Sequence, residues 1–491
     1  MPLCDFHNRL CPIFKSCWNL PLCLRRGPRG YHRPNCKRCL HHLCSFPPIF
    51  QKFKSLYLSP CSGQFFFQTR VLSGILAGMT YLRRNFTLTA LNGIFFNFAS
   101  AFLSETTVLP AFISNLTNSR VLVGLAGSLQ RASWPLPQVI VAPFAERTER
   151  KMPIYIHSAF VRFFSLLALS LVTFSFGRYA SPLLLAVFFV VYAIFSLSGG
   201  VAGLSFMDIV AKAIPANRRG SLWAIRISVG SGFAVIGGFI VRHLLRTLPF
   251  PLNYGTIFLI STALVAVGLT LFSFVVEPIQ PVRKERKGLK EHLREGRLIF
   301  RKDANYRGLV HVRLLIGILF MAFPFYVVFA KETGGFEESS VGFLLAAQML
   351  GLMLSNILWG NIANRFGSRL VLIGTSLSGI VPPLGALLFP LLTPGQWYFP
   401  VLFFVMGVSG AGLRLGYSTF LLDISPPLER LTYIGFINTT IAPVLFLPTV
   451  AGAIVDTISY EVLFGMAALA GALALYKSIL LKEVRRPETK T

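Results

Sequence analysis

Apolar segments of about twenty residues recur along most of this chain, separated by short polar connections. A segment of about twenty apolar residues is long enough to cross roughly 30 Å of hydrocarbon as a helix, and inside a bilayer a helix satisfies each backbone donor within its own segment. The pattern predicts an all-α integral membrane protein. Twelve transmembrane helices are predicted, at residues 87–113, 121–145, 153–176, 182–207, 222–243, 254–276, 308–330, 341–363, 370–392, 398–422, 432–456 and 461–481.

The net charge of +28 raises the alternative of nucleic-acid binding, but the positions of the charges favour a topology signal. Ten Lys and Arg residues lie between 283 and 307, and the connections after the second, fourth, eighth and tenth predicted helices are also basic, whereas those on the opposite side are poor in positive charge. This positive-inside bias predicts a multi-pass protein of the cytoplasmic membrane with both termini in the cytoplasm. The expected partners are the lipid bilayer and a small-molecule substrate, with no nucleic acid, and the chain is expected to be a monomer.

Residues 1–78 differ from the rest, because they hold all eight cysteines and eleven Lys/Arg against one acid. Cys36, Cys39 and Cys44 with His41 and His42 could be zinc ligands, but a second well-formed pair is missing and no hydrophobic periodicity surrounds them. We favour a disordered tail or an over-extended reading frame, with Met79 as the natural start. No metal and no cofactor are expected. If the chain drives an energy-requiring process across the membrane, a proton gradient or another ion gradient is the energy source left open.

A repeat divides the hydrophobic region into two halves. A shift of 218 residues places "VGLAGSLQ" (123–130) on "VGFLLAAQ" (341–348), and it also places Arg147 on Arg365 and Lys151 on Arg369. Two parallel six-helix repeats with a long central loop are typical of transporters that rock two halves about a central site. The predicted organisation is a basic tail (1–78), an N-terminal six-helix bundle (79–276), a cytoplasmic basic linker (277–307), a C-terminal six-helix bundle (308–482) and a cytoplasmic tail (483–491).

Over about residues 83–482 the chain resembles the major facilitator superfamily of secondary transporters, of the bacterial permease type. The family's loop motif after the second helix is Gly-x-x-x-Asp-Arg-x-Gly-Arg-Lys, and both halves carry a degenerate copy. The first copy has Ala142 and Glu149 in place of the two glycines, and the second has Asn364 in place of the acid. The resemblance implies a fold of two pseudo-symmetric six-helix bundles and transport by alternating access.

The same resemblance implies a cytoplasmic gate that latches the two halves when that side is closed. An alternative is that these charges only set topology, but topology does not require the acids Glu146 and Asp423. The predicted gate residues are Glu146, Arg147, Arg150, Lys151, Asp208, Asn364, Arg365, Arg369, Asp423 and Arg430.

Polar residues inside the membrane are costly and are candidates for substrate or coupling sites. Arg131 lies about 15 Å from the outer end of the second predicted helix at 1.5 Å per residue, near the midplane. Glu105 and Arg131 could instead form a structural pair, and Arg414 could bind a carbonyl or snorkel. If Arg131 and Arg414 both face the cavity, they favour an anionic or zwitterionic solute. The candidates are Glu105, Arg131, Gln138, Gln348 and Arg414.

The sequence contains no nucleotide-binding P-loop, nucleophile elbow or zincin motif, so we do not expect an enzyme. The favoured function is a secondary transporter of a small solute, with proton coupling left open. Two alternatives remain, a facilitator of lipids or lysolipids between leaflets and a membrane sensor or scaffold that keeps the fold without transporting. Polar residues converging at the midplane favour the first. The substrate, the direction of transport and the coupling ion stay undetermined.

Overall fold

The computed structural model describes residues 63–483 except 134–136, 138–140, 142–147, 177–180, 280–288, 393–394, 396 and 427–428, with side chains from Tyr81 onward. Contacts divide the chain into two units, Met1–Gly78 and Met79–Thr491. Helix α1 begins at Gly63, so the backbone just upstream of Met79 is helical. The cysteine and histidine cluster of the tail lies outside the described residues.

The described residues form helices and no strands, which confirms the all-α class. The helices of the N-terminal half are α1 (Gly63–Ala101), α2 (Val108–Ser114), α3 (Arg120–Ala132), α4 (Met152–Phe176), α5 (Ser181–Ala213), α6 (Ala216–Thr247) and α7 (Leu252–Ser273). The linker contributes α8 (Leu289–Lys302). The C-terminal half contains α9 (Ala304–Phe320), α10 (Phe325–Glu332), α11 (Ser340–Phe366), α12 (Ser368–Leu388), α13 (Tyr398–Ile424), α14 (Arg430–Ile441), α15 (Leu447–Thr457) and α16 (Tyr460–Leu480).

Ten segments of the described chain are long and apolar enough to cross a membrane, and each matches one of the predicted spans. The two remaining predicted spans are the first, which is divided between α1 and α2, and the second, which begins as α3 and is described continuously only to Ser133. The seventh span starts at Ala304, earlier than predicted, because the Asp303 carboxylate caps it by accepting from the backbone N–H groups of Asn305 and Tyr306 at 2.9 and 3.0 Å.

The helices that begin each half are both interrupted. The first predicted span breaks between Ala101 and Val108, and the seventh breaks between Phe320 and Phe325. Within both breaks, backbone N–H groups donate to carbonyls three residues earlier, as Phe102 does to Ala99 and Phe323 does to Phe320. The breaks coincide under the 218-residue shift, so the internal repeat extends to an irregularity of the backbone. Irregular backbone at membrane depth is tolerated where it is buried in protein or lines a cavity.

The two halves pack along two related seams, α3 against α15 and α6 against α11. Glycines bring the backbones together in both. A Cβ added at Gly124 of α3 would overlap the Pro448 carbonyl of α15, and one at Gly342 of α11 would overlap the backbone of Arg242. Gly124 and Gly342 are equivalent under the 218-residue shift. Close packing of membrane helices through small residues is therefore used at both seams.

The linker helix α8 packs against α14 of the C-terminal half. The Phe300 and Phe436 ring centroids are 6.0 Å apart, and a Cβ at Gly296 would overlap the Phe436 side chain. Phe436 therefore covers α8 at Gly296 and Phe300.

Candidate functional site

A cavity of about 560 Å³ lies between the two halves. Its walls come from α1 and the break that follows it, α3 and α6 on one side, and from α9, α11, α13 and the short 3₁₀ segment Ala442–Phe446 on the other. Asn97, Ser100 and Ser231 give the N-terminal wall hydrogen-bonding groups. Ligand sites at the interface of two repeats are typical of transporters with internal symmetry.

Four of the five candidate residues line this cavity, namely Glu105, Arg131, Gln348 and Arg414. They come from four different helical segments that are far apart in the sequence, and the fold brings them together. The fifth candidate, Gln138, lies outside the described residues.

Glu105 sits in the break between α1 and α2 and forms an ion pair with Arg131 of α3. Arg131 Nε is 3.1 Å from Glu105 Oε1, and a terminal nitrogen of the same guanidinium donates to the Phe320 carbonyl at 3.1 Å. That carbonyl ends α9, so Arg131 joins the two halves. The second oxygen, Glu105 Oε2, is buried and accepts no hydrogen bond from the described residues. The positive charge of Arg131 is thus largely compensated, while Glu105 keeps one free acceptor.

Two glutamines related by the repeat occupy opposite walls. Gln348 of α11 accepts a hydrogen bond from the Thr106 hydroxyl at 2.8 Å, and Thr106 lies 3.1 Å from the Ser104 hydroxyl. Gln130 of α3 accepts from the Tyr192 hydroxyl. The Thr106–Gln348 bond crosses between the halves, whereas the Tyr192–Gln130 bond stays within one half.

Arg313 of α9 was missed by sequence reasoning and also lines the cavity. With the helix predicted to begin at residue 308, Arg313 would lie close to the membrane surface. The helix in fact begins at Ala304, so Arg313 lies about 13 to 14 Å along it at 1.5 Å per residue. Its guanidinium carbon stands 5.2 Å from the centre of the Tyr417 ring. Asp303 is a typical helix N-cap residue, and it could have placed the helix start at residue 304 from the sequence alone. Arg313 would then have been predicted to lie deep in the membrane.

The described cavity wall carries three guanidinium groups, of Arg131, Arg313 and Arg414, and one carboxylate, of Glu105. Neither Arg313 nor Arg414 has an acidic partner among the described residues. An arginine at the centre of a membrane helix costs about 2.5–3.5 kcal/mol on insertion scales, and such residues normally face water or a partner. Arg414 is exposed, and its exposure is to the cavity.

On the side that the charge pattern predicts to be outside, the two halves are tied together by charges. The Asp456 carboxylate, at the end of α15, accepts from the backbone N–H groups of Arg120 and Val121 at 2.9 and 3.1 Å and from the Ser119 hydroxyl. It therefore caps the N-terminus of α3 across the interface, where a negative charge is favoured. Arg120 also pairs with Glu332 of α10.

A second cross-half cluster lies at the same end. Lys331 Nζ is 2.5 Å from Glu338 Oε2 and 3.0 Å from the side-chain oxygen of Asn115. Asn115 in turn donates to Glu338 at 3.0 Å, and the Tyr254 hydroxyl also donates to Glu338. Asn115 and Tyr254 belong to the N-terminal half, so Glu338 is held from both sides.

The predicted cytoplasmic gate residues are distributed differently. Among the described contacts, those of Lys151, Asp208, Arg369 and Asp423 stay within one half. Asp208 pairs with Lys212 at 2.6 Å, and Asp423 accepts from the Ser368 hydroxyl at 2.8 Å. Three of the predicted gate residues are exposed, namely Arg150, Asn364 and Arg365. The structure does not describe the remaining three, which are Glu146, Arg147 and the side chain of Arg430.

Lys151 and Arg369, equivalent under the repeat, lie at the start of α4 and α12, and each of these helices is capped by an acid that follows the last helix of the same half. Glu277 accepts from the backbone N–H groups of Lys151 and Met152 at 2.9 and 2.8 Å. Glu483 accepts from the backbone N–H of Arg369 at 2.9 Å. Burial lowers the pKa of the Lys151 ammonium from its ordinary value, with the charge of Asp208 acting in the opposite direction.

The Major Facilitator Superfamily model matches residues 317–491, which cover the C-terminal half. The C-terminal half of the chain is therefore similar to proteins of the major facilitator superfamily. The two interrupted helices, the repeated seams and the cavity between the halves show that the N-terminal half has the same architecture.

Solved structures with a similar fold include the nucleoside transporter NupG, at a TM-score of 0.63 and 13% identity over 82% of this chain and all of that one (100%). A D-xylose–proton symporter has a TM-score of 0.62 and 15% identity over 84% of this chain and 100% of its own. A bacterial homologue of the iron transporter ferroportin, in an inward-facing state, has a TM-score of 0.59 and 13% identity over 81% of this chain and 98% of its own. At these identities the likeness concerns the fold.

Among curated proteins, an uncharacterised protein of Mycobacterium tuberculosis and one of Mycobacterium bovis are each 26% identical over 180 residues. The match spans 36% of this chain and 34% of each relative. These relatives share part of the sequence and indicate no substrate.

Proposed function

We propose that this chain is a secondary transporter that moves a small solute across the cytoplasmic membrane by alternating access of its two six-helix halves. The observation that carries the proposal is the cavity between the halves, with cross-half contacts closing one end of it. In this arrangement a solute reaches the cavity from the opposite end. Separation of the halves at the closed end, with closure of the other, would deliver it across the membrane.

The orientation that we propose follows the distribution of Lys and Arg, with both termini and the linker in the cytoplasm. The clusters around Asp456 and Glu338 then lie on the outer side, and the described conformation is open toward the cytoplasm. The arginines and glutamines of the cavity support a solute that carries polar or charged groups, because a purely apolar ligand would leave their donors and acceptors without partners.

Glu105 is the proposed coupling site. Its Oε1 is held by Arg131 while its buried Oε2 has no described partner, so protonation would weaken the ion pair and leave the carboxyl group as a donor. Because Arg131 also binds the Phe320 carbonyl of the other half, the protonation state of Glu105 would be transmitted to the contact between the halves. An ion gradient at this position could therefore drive the conformational cycle.

The test is solute counterflow and gradient-driven uptake in proteoliposomes that contain the purified chain, with a panel of labelled sugars, nucleosides, organic acids and organic cations. We expect saturable counterflow of one class. Glu105→Gln should keep counterflow but lose accumulation driven by a pH gradient, whereas the control Glu429→Gln, an exposed acid outside the cavity, should keep both. Absence of counterflow for every class, with folded protein in the membrane, would favour the sensor or scaffold function instead.

A further inference from the structure

The two uncompensated arginines of the cavity indicate which class of solute the site accepts. Arg131 is already paired with Glu105 and bound to the Phe320 carbonyl, so its charge is compensated and two of its N–H groups have acceptors. Arg313 and Arg414 line the same cavity and have no acidic partner among the described residues. The described cavity wall thus carries two more guanidinium groups than carboxylates.

Arg313 and Arg414 both lie on the wall of the C-terminal half, and Tyr417 connects them. Arg414 and Tyr417 are three residues apart on α13, which makes them neighbours on one helix face. The Tyr417 ring supports the guanidinium of Arg313 from α9 at 5.2 Å. A cation over an aromatic face is oriented without being neutralised. Arg313 Nε is buried and has no described hydrogen-bond acceptor, and the Tyr417 hydroxyl is also unpartnered.

We infer that Arg313 and Arg414, with the Tyr417 hydroxyl, form a binding site for a small organic anion that carries two negative charges on carboxylate or phosphate oxygens. Guanidinium groups present paired donors that match these oxygens, and two of them match a dianion better than a monoanion. The inference rests on the proposed transport function for its purpose, and it moves the anion site from Arg131 and Arg414 to Arg313 and Arg414. Arg131 is then the partner of Glu105.

The test is equilibrium binding to the purified full chain in detergent with three probes of one shape, succinate, succinamate and succinamide, which carry two, one and no negative charges. Inorganic phosphate, lysophosphatidic acid and tetraphenylphosphonium complete the set and separate a soluble dicarboxylate, a soluble phosphate, a lipid phosphate and a cation. We expect succinate or phosphate to bind at least about tenfold more tightly than succinamide, because hydrogen bonds between charged groups are stronger than those to a neutral amide.

Arg313→Gln and Arg414→Gln should each weaken binding of the preferred anion by about ten- to a hundredfold, while Arg313→Lys, which keeps the charge and loses the fork, should weaken it less. The matched control is Arg301→Gln, which removes the same charge from an exposed position of α8 and should leave binding unchanged. Thermal unfolding of each variant in detergent shows whether it is folded. Preference for succinamide or the cation, binding that survives both substitutions, or no binding of any probe would overturn the inference.

Counterflow in proteoliposomes separates this inference from the proposed function. If the anion binds and binding depends on both arginines, but no anion counterflow is seen, the anion site is supported and the transport proposal is contradicted. Counterflow of a neutral or cationic solute that is insensitive to both substitutions would keep the transporter and contradict the anion site.

Discussion

The two ends of the cavity are built differently. At the predicted outer end the contacts cross between the halves, from Asp456 to the start of α3 and from Glu338 to Asn115 and Tyr254. At the predicted cytoplasmic end the described contacts close each half on itself, with Glu277 capping α4 and Glu483 capping α12. Contacts across the interface must break when the halves separate, whereas contacts within a half can persist.

The polar contacts that cross the interface therefore depend on the conformational state of the protein. A helix cap supplied by the other half contributes to stability only while that end is closed, whereas a cap supplied by the same half contributes in every state.

One labelling reaction reports the conformational state in each variant described next. A cysteine replaces Met349 in the cavity, and its rate of reaction with a maleimide that cannot cross the membrane is measured. The eight tail cysteines are replaced by serine so that only this cysteine reacts. Residues 79–491 contain no cysteine of their own.

The largest effect is expected from Gly342→Val, which places a branched side chain against the backbone of Arg242 across the α6–α11 seam. Overpacking of a close contact costs about 1–3 kcal/mol or more, so the outer-closed state should lose about tenfold or more in population. Labelling of Met349→Cys from outside should accelerate accordingly. The matched control is Gly360→Val on the same helix, where an added Cβ meets no atom within 4 Å. Equal labelling of both variants would show that the seam does not close the outer end.

A smaller effect is expected from Asp456→Ala, which removes the cross-half cap of α3. Loss of a helix N-cap costs about 1 kcal/mol, which corresponds to roughly a fivefold faster reaction of the cavity cysteine from outside. Glu337→Ala is the control, since Glu337 is an exposed acid at the same end, and it accepts a hydrogen bond from the Ser339 hydroxyl within its own half. A response of Glu337→Ala as large as that of Asp456→Ala would attribute the effect to net charge.

The predicted cytoplasmic latch is tested by Arg365→Gln. If Arg365 ties the halves together when the cytoplasmic side is closed, its loss should favour the state open to the cytoplasm and slow labelling from outside by about twofold, as expected for an exposed ion pair. Arg218→Gln, an exposed arginine at the same end that was not assigned to the gate, is the comparison. Unchanged labelling in both variants would reduce Arg365 to a topology signal.

The smallest effect is expected from Glu483→Gln. The cap that Glu483 gives to α12 lies within the C-terminal half, so the substitution should lower the unfolding temperature of the protein without changing the labelling rate. Gln is chosen because it keeps the size and one acceptor oxygen. A change in labelling as large as that of Asp456→Ala would contradict the distinction between the two ends.

The sequence carried enough information for the all-α membrane fold, for ten of the described spans and for four polar side chains of the cavity. The apolar segments and the basic connections have direct physical causes in bilayer thickness and insertion, so they could be read without a structure. Glu105, Arg131, Gln348 and Arg414 were found because a charged or amide side chain at midplane depth is costly and therefore conspicuous.

Other features depend on the three-dimensional arrangement and could not be read from the sequence. Arg313 was missed because its depth depends on the Asp303 cap, which lies outside the apolar segment. The role of Asp456 depends on the start of α3, which is 336 positions away in the chain. The roles of Glu277 and Glu483 depend on helix ends that meet only in the folded half.

The central claim is that the outer end opens while the cytoplasmic end closes. It is tested most directly by pulsed electron resonance distances between spin labels in two pairs, Asn118 with Thr333 at the outer end and Asn217 with Asn361 at the cytoplasmic end, all four of which are exposed. We expect a short outer and a long cytoplasmic distance in the parent chain, and Gly342→Val should lengthen the first and shorten the second. If Gly342→Val leaves both distances unchanged, or lengthens both, the halves do not alternate and the account is wrong.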